Sequence, residues 1–146
     1  MLVQRVLMPV SGRESWTLLG DDGEVVEPAE RYLAYLAAIE RSPNTVRAYA
    51  VSLKLWFEFL RHAAVNWDEA GVEDVARFVA WLRAPAGNVI VLADGTGARE
   101  PATVNRHLAG CSASTTTMRA PGWESLPSWS HGDGSAAARI TRSCIT

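Results

Sequence analysis

Apolar residues recur at helical spacing in three stretches of the chain. In the clearest stretch they stand three or four positions apart throughout, which is typical of an amphipathic helix that buries one face. Its apolar positions are Val46, Tyr49, Ala50, Leu53, Phe57 and Leu60. Shorter stretches of the same kind span residues 32–37 and 72–82. The pattern therefore predicts a mainly α-helical core.

Proline and capping residues set the limits of the first two helices. Pro28 stands in the first turn of one helix, where its missing N–H costs nothing. The residue before Pro43 is disfavoured in helical geometry, so the first helix is expected to end at about Arg41. Ser42 can then cap a second helix, which has Pro43 at its first position and runs to about Ala64.

A long connection separates two further helices. The third helix ends just before Pro85, and the fourth begins at Pro101 and ends at Ala109. Between them, residues 85–101 are rich in glycine and proline, and a connection of this length is either functional or an insertion. No apolar period is visible after the fourth helix, so we expect an irregular tail over 110–146.

The start of the chain has a different pattern. Two short runs rich in β-branched and aromatic residues are bounded by turns that contain glycine, which predicts a hairpin or an extended arm. Two strands alone are marginally stable in water, so the arm is expected to rest on the helices. The predicted organisation is a β-rich arm at 1–25, a helical domain at 26–109 and the tail.

Composition narrows the class of protein. The 146 residues are 48% hydrophobic and 21% charged, as in a globular domain with arms. No run approaches the roughly 18 apolar residues of a membrane span. The first residues do not resemble a secretory signal, so a cytoplasmic location is expected. Cys111 and Cys144 are predicted to be free thiols, and no metal or cofactor is expected, because no cysteine or histidine has the spacing of a ligand cluster.

Charge is distributed unevenly along the chain. The formal net charge is −2, but residues 31–64 hold five basic and two acidic residues. Arg47, Lys54 and Arg61 recur at heptad spacing, so they line one stripe of the second helix. Such a stripe faces either phosphates or solvent, and the pattern alone leaves both alternatives open.

Two segments resemble the N-terminal half of tyrosine recombinases, the phage-type integrases. The first is Ser42-Pro-Asn-Thr-Val-Arg-Ala-Tyr49, followed by Trp56-Phe-Glu-Phe-Leu60. The second is Ala102-Thr-Val-Asn-Arg-His-Leu108, which is similar to a helix that carries Thr-x-Asn-Arg-x-Leu in that family. The resemblance covers roughly residues 25–109.

The resemblance implies a SAM-like core-binding domain of four to five helices, which forms half of a clamp around double-stranded DNA. Other recombinase protomers are the further partners that it implies. Hydroxyls and N–H groups at a helix start bind phosphates, as do cationic side chains, and amide side chains reach base edges. Thr45 serves equally well as a cap, and Tyr49 is expected in the core. The implied DNA contacts are Ser42, Asn44, Thr45, Arg47, Lys54, Asn105, Arg106 and His107.

The family's chemistry is not expected of this chain. In tyrosine recombinases a tyrosine attacks a DNA phosphodiester while two arginines, a lysine and a histidine stabilise the developing charge. The three tyrosines here are Tyr32, Tyr35 and Tyr49, all within the first two helices, and no His-x-x-Arg sequence is present. The prediction is a DNA-binding fragment that acts in integration and recombination and is not itself an enzyme. A helical protein-interaction fragment and a helix-turn-helix regulator are the alternatives.

The tail is interpreted as the product of a shifted reading frame. Thr115-Thr-Thr-Met118 is encoded as ACN-ACN-ACN-ATG, and triplets that start at the third base of each codon encode Tyr, His, Asn or Asp. The family has an aromatic-rich segment at about this place. We therefore expect the residues from about 110 onward to replace a native helix end and a catalytic domain.

Overall fold

A computed structural model describes residues 1–7, 12–84 and 101–123. Within these ranges the chain forms an antiparallel pair of strands and a set of helices, which confirms the mainly α class with a β-rich arm. The elements are β1 (Leu2–Leu7), β2 (Glu14–Leu19), α1 (Glu27–Ala38), α2 (Pro43–Ala63), α3 (Val72–Arg83) and α4 (Pro101–Met118). The predicted connection at 85–101, apart from Pro101, and the part of the predicted tail beyond residue 123, with Cys144, lie outside the described residues.

The two strands form a hairpin that rests on the helices. Leu2 lies opposite Leu19 in the antiparallel pair, and Leu19 also bridges to Val25 before the chain enters α1. The hairpin packs on α1 and α2, and Leu18 of β2 is fully buried there. The strands are stable because the helices cover their apolar side chains.

The junction of α1 and α2 follows the predicted capping chemistry. Pro43 occupies the first turn of α2, directly after Ser42. The Ser42 Oγ accepts a hydrogen bond of 3.2 Å from the backbone N–H of Thr45, which satisfies one donor that the helix itself leaves unpaired. Glu40, just beyond α1, has a φ of 58°, the left-handed conformation that commonly follows a helix end.

The core is built around α2, which contacts every other described element. Its Trp56 ring meets Phe78 of α3 edge-on at 5.0 Å, and Phe59 lies 5.4 Å from the same ring. Nearer its start, Tyr49 packs edge-on against Tyr32 of α1 at 5.7 Å. Tyr49 is thus a packing residue, as its place in the apolar period predicted.

The fourth helix is longer than the sequence predicted. We expected it to end at Ala109, but α4 continues to Met118. Its inward positions keep helical spacing, but most of them carry small or polar residues, so no apolar period marked the second half. An irregular structure over residues 110–118 was therefore a wrong prediction. The residues that α4 buries are Val104, His107, Gly110, Cys111, Ser114 and Met118.

The segment after α4 also packs on the domain. Trp123 is 6% exposed, and its ring lies 6.2 Å from the rings of both Tyr32 and Tyr35. The Arg119 guanidinium donates to the backbone carbonyls of Asp68 and Ala70 at 2.6 and 2.7 Å. These contacts join residues 119–123 to the core, while the shifted reading frame stays a prediction.

Candidate nucleic-acid interface

The first turn of α2 presents a polar surface without negative charge. Ser42 and Asn44 are exposed, Thr45 is half-buried, and the turn holds no acidic residue. The hydroxyls of Ser42 and Thr45 lie 2.9 Å apart, so Thr45 supports the cap. Pro43 has no N–H, and the N–H groups of Thr45 and Val46 donate to Ser42. The turn therefore offers an anion the Asn44 N–H together with the positive end of the helix dipole.

Arg47 lies one turn further along α2 and is exposed. Its Cζ lies 5.2 Å from the ring centroid of Trp16 in β2. This cation–π contact orients the guanidinium without neutralising it. An exposed, oriented cation of this kind is suited to a phosphate oxygen.

The second half of the predicted basic stripe is engaged by carboxylates of this chain. The Lys54 Nζ lies 3.7 Å from Glu58, one turn along α2. Arg61 pairs with Asp21 in the turn that follows β2. Of the three cations at heptad spacing, Arg47 alone is turned to an aromatic ring instead of a carboxylate.

The exposed side of α4 carries Asn105 and Arg106, whereas His107 points inward. His107 is 6% exposed, and its Nδ1 lies 3.0 Å from the Oγ of Ser52 in α2. The prediction that His107 reaches a base edge is wrong, because it stands three positions after the buried Val104 and shares its inward face.

The contact between His107 and Ser52 joins α4 to α2. The Ser52 Oγ also donates to the carbonyl of Ala48 at 3.0 Å, so this hydroxyl bonds both its own helix and the His107 ring of α4. Arg106 adjoins His107, so the contact at Ser52 places the first turns of α4 beside the middle of α2.

The Cys111 thiol and the Tyr32 hydroxyl are not activated as nucleophiles. Burial raises the pKa of the Cys111 thiol to about 12. Burial is also the largest of the causes that raise the pKa of the Tyr32 hydroxyl to about 12. Both groups stay protonated near neutral pH and are poor nucleophiles. Across the described ranges no group of three metal-ligating side chains occurs, and no helix there is long and apolar enough to cross a membrane.

Comparison with known families identifies the family to which this domain belongs. The family described as phage integrase, N-terminal SAM-like domain, matches residues 29–110. The chain belongs to this family. It is also similar to transposase A from transposon Tn554 of Staphylococcus aureus strains Mu50 and N315, at 38% identity over 106 residues. The match covers 72% of this chain and 29% of each relative, so the chain spans less than a third of their length. No solved structure matches it.

Several contacts of this integrase-family domain had no signal in the sequence. A Cβ on Gly110 would lie 3.0 Å from the Cβ of Ser52, so the glycine permits the close approach of α4 to α2. Asp21 reaches Arg61 across 40 positions of the chain. The pairing of Lys54 with Glu58 has the i,i+4 spacing of one helix, whereas the pairing of Arg61 is visible only once the arm packs on α2.

Proposed function

We propose that this SAM-like domain binds double-stranded DNA through the first half of α2 and the exposed side of α4. The start of α2 carries the proposal: it has exposed Ser42 and Asn44, no acid in its first turn, and Arg47 one turn further on. Backbone N–H groups, hydroxyls and an oriented guanidinium are the donors that hold phosphates in protein–DNA complexes.

The exposed side of α4 supplies the second part of the surface. Arg106 adds a cation, and the amide of Asn105 has the donor and acceptor that pair with adenine in the major groove. Lys54 has a smaller role, because Glu58 already engages it. The proposed contacts are Ser42, Asn44, Thr45, Arg47, Asn105 and Arg106.

Family membership and the likeness to a transposase support a role in DNA integration and recombination. We assign to this chain the placement of DNA, together with other protomers of the same recombinase. We assign it no strand cleavage, because Tyr32, Tyr35 and Tyr49 all take part in the aromatic packing around α1 and α2.

The test is a titration of a labelled random-sequence duplex with the full chain, followed by fluorescence anisotropy between about 50 and 200 mM salt. Each phosphate contact contributes about −0.9 to the slope of log K against log salt. Arg47→Ala and Arg106→Ala should each flatten that slope by about 0.9 and weaken binding to all sequences alike.

Arg83→Ala is the matched control, because Arg83 is an exposed arginine in the last turn of α3, outside the proposed surface. Its slope should equal that of the parent. An equal loss with Arg83→Ala and Arg47→Ala would contradict the proposed surface. Absence of duplex binding at every salt concentration would favour the protein-interaction alternative.

A further inference from the structure

The turn between β2 and α1 is acidic and lies beside the second half of α2. The Gly20 N–H donates to the Glu24 carbonyl at 2.8 Å, and the Glu24 N–H donates to the Asp22 Oδ1 at 3.0 Å. The carboxylate of Asp22 is therefore used within the turn. The carboxylate of Asp21 instead pairs with Arg61 of α2.

Asp21 and Arg61 belong to a network of five charged groups. The amino group of Met1 pairs with Asp21 and lies 3.8 Å from Glu58. Glu58 in turn lies 3.7 Å from Lys54. Both cations in the second half of the basic stripe thus have a carboxylate of this chain as partner.

The hairpin holds the turn in place, whereas the ion pair between Asp21 and Arg61 is exposed to solvent. Leu18 is fully buried and accepts a 2.9 Å hydrogen bond from the Val26 N–H. By contrast, the side chains of Arg61 and Asp21 are 55% and 58% exposed. Because the pair is exposed, removal of the Asp21 carboxylate frees Arg61 by side-chain rotation alone, with no change in the backbone.

We propose that Asp21 is an autoinhibitory group, whose carboxylate occupies Arg61 where a DNA phosphate would otherwise bind. The inference rests on the proposed function of DNA binding by α2. A DNA backbone that extends along α2 beyond Arg47 meets Arg61 already paired and gains it only by displacing Asp21. The domain therefore binds DNA with fewer released counterions than its three-cation stripe would allow.

Asp21→Asn in the full chain, titrated with the same random-sequence duplex, tests this directly. Freeing Arg61 adds one phosphate contact, so the slope should steepen by about 0.9 and the affinity at low salt should rise several-fold. Glu24→Gln is the matched control: it removes one negative charge from the same turn, and the turn hydrogen bonds of Glu24 use its backbone. The control should leave the slope unchanged.

Arg61→Ala completes the cycle. In the parent it should change the slope little, and in Asp21→Asn it should remove the whole gain. Two results overturn the inference when the parent still binds DNA. One is a gain in slope that survives Arg61→Ala, and the other is an Asp21→Asn slope equal to that of Glu24→Gln. If Asp21→Asn loosens the hairpin, Arg61→Ala in the parent still decides, because a loss of about 0.9 there would mean that Arg61 already contacts phosphate. Lack of salt-dependent binding in the parent and all variants overturns the proposed function itself.

Discussion

Replacing Trp123 with alanine tests whether the segment after α4 belongs to the folded domain. The indole is 6% exposed and lies 6.2 Å from the rings of Tyr32 and Tyr35. Removal of a buried aromatic side chain costs about 3–5 kcal/mol of unfolding free energy. Against a typical total of about 5–15 kcal/mol, this loss is a large fraction of the stability.

Thermal unfolding followed by circular dichroism measures the effect. At roughly 4 °C per kcal/mol for a domain of this size, the Tm of Trp123→Ala should fall by about 12–20 °C. Trp123→Phe should recover most of the loss, because the phenyl ring keeps the aromatic contacts and the indole Nε1 has no hydrogen-bond partner within the described ranges. Thr116→Ala, at an exposed position of α4, is the control and should change stability by less than about 0.5 kcal/mol.

A Trp123→Ala variant within about 0.5 kcal/mol of the parent would refute this reasoning. It would mean that residues 119–123 lie outside the cooperative unit. If Trp123→Ala does not fold at all, Trp123→Phe still discriminates, because only a packing role of the indole predicts that a smaller aromatic ring rescues the fold.

Two further substitutions test the contacts that hold the arm and α4. Burial raises the pKa of the Glu30 carboxyl, and the hydrogen bond from Thr17 offsets part of this rise. The folded parent therefore loses stability as the pH rises from the ordinary pKa of glutamate through the raised pKa of Glu30. In chemical denaturation, Glu30→Gln should therefore have a higher unfolding free energy than the parent at neutral pH, and the difference should be smaller at about pH 4. An equal difference at both pH values would contradict this. Gly110→Ala should lower the unfolding free energy by up to about 2 kcal/mol, because crowding against Ser52 outweighs a helix-propensity gain of about 1 kcal/mol. A rise in Tm would contradict this, because it would show that Ser52 can give way by the few tenths of an ångström that the new Cβ needs.

The sequence was sufficient to predict the parts of the fold that large apolar residues determine. The apolar period of α2 and the proline and serine at its start predicted that helix almost to its last residue. In the second half of α4 the inward positions include Gly110, Cys111 and Ser114, which hydropathy does not distinguish from a loop. These residues are buried because α4 lies close to α2, and closeness between distant segments is a tertiary property.

The candidate site was predictable to the same extent and for the same reason. The cap at Ser42 depends on neighbours in the sequence, and the structure contains it. The inward orientation of His107 follows from its spacing of three positions from Val104, which the sequence contains. The pairing of Arg61 instead depends on Asp21 of the arm, which lies 40 positions away in the chain.

The contacts that residues 110–123 make with the rest of the domain favour a late position for any shift of reading frame. A segment translated in the wrong frame from about residue 110 has no reason to place Gly110 against Ser52, or Arg119 against the carbonyls of Asp68 and Ala70. If the shift lies after residue 123, the residues that make these contacts belong to the native sequence. If it lies at 110, each of these contacts has arisen by chance. Sequencing the gene in all frames separates the two: an integrase-like continuation that joins at 110 favours the early shift, and one that joins beyond Trp123 favours the late shift.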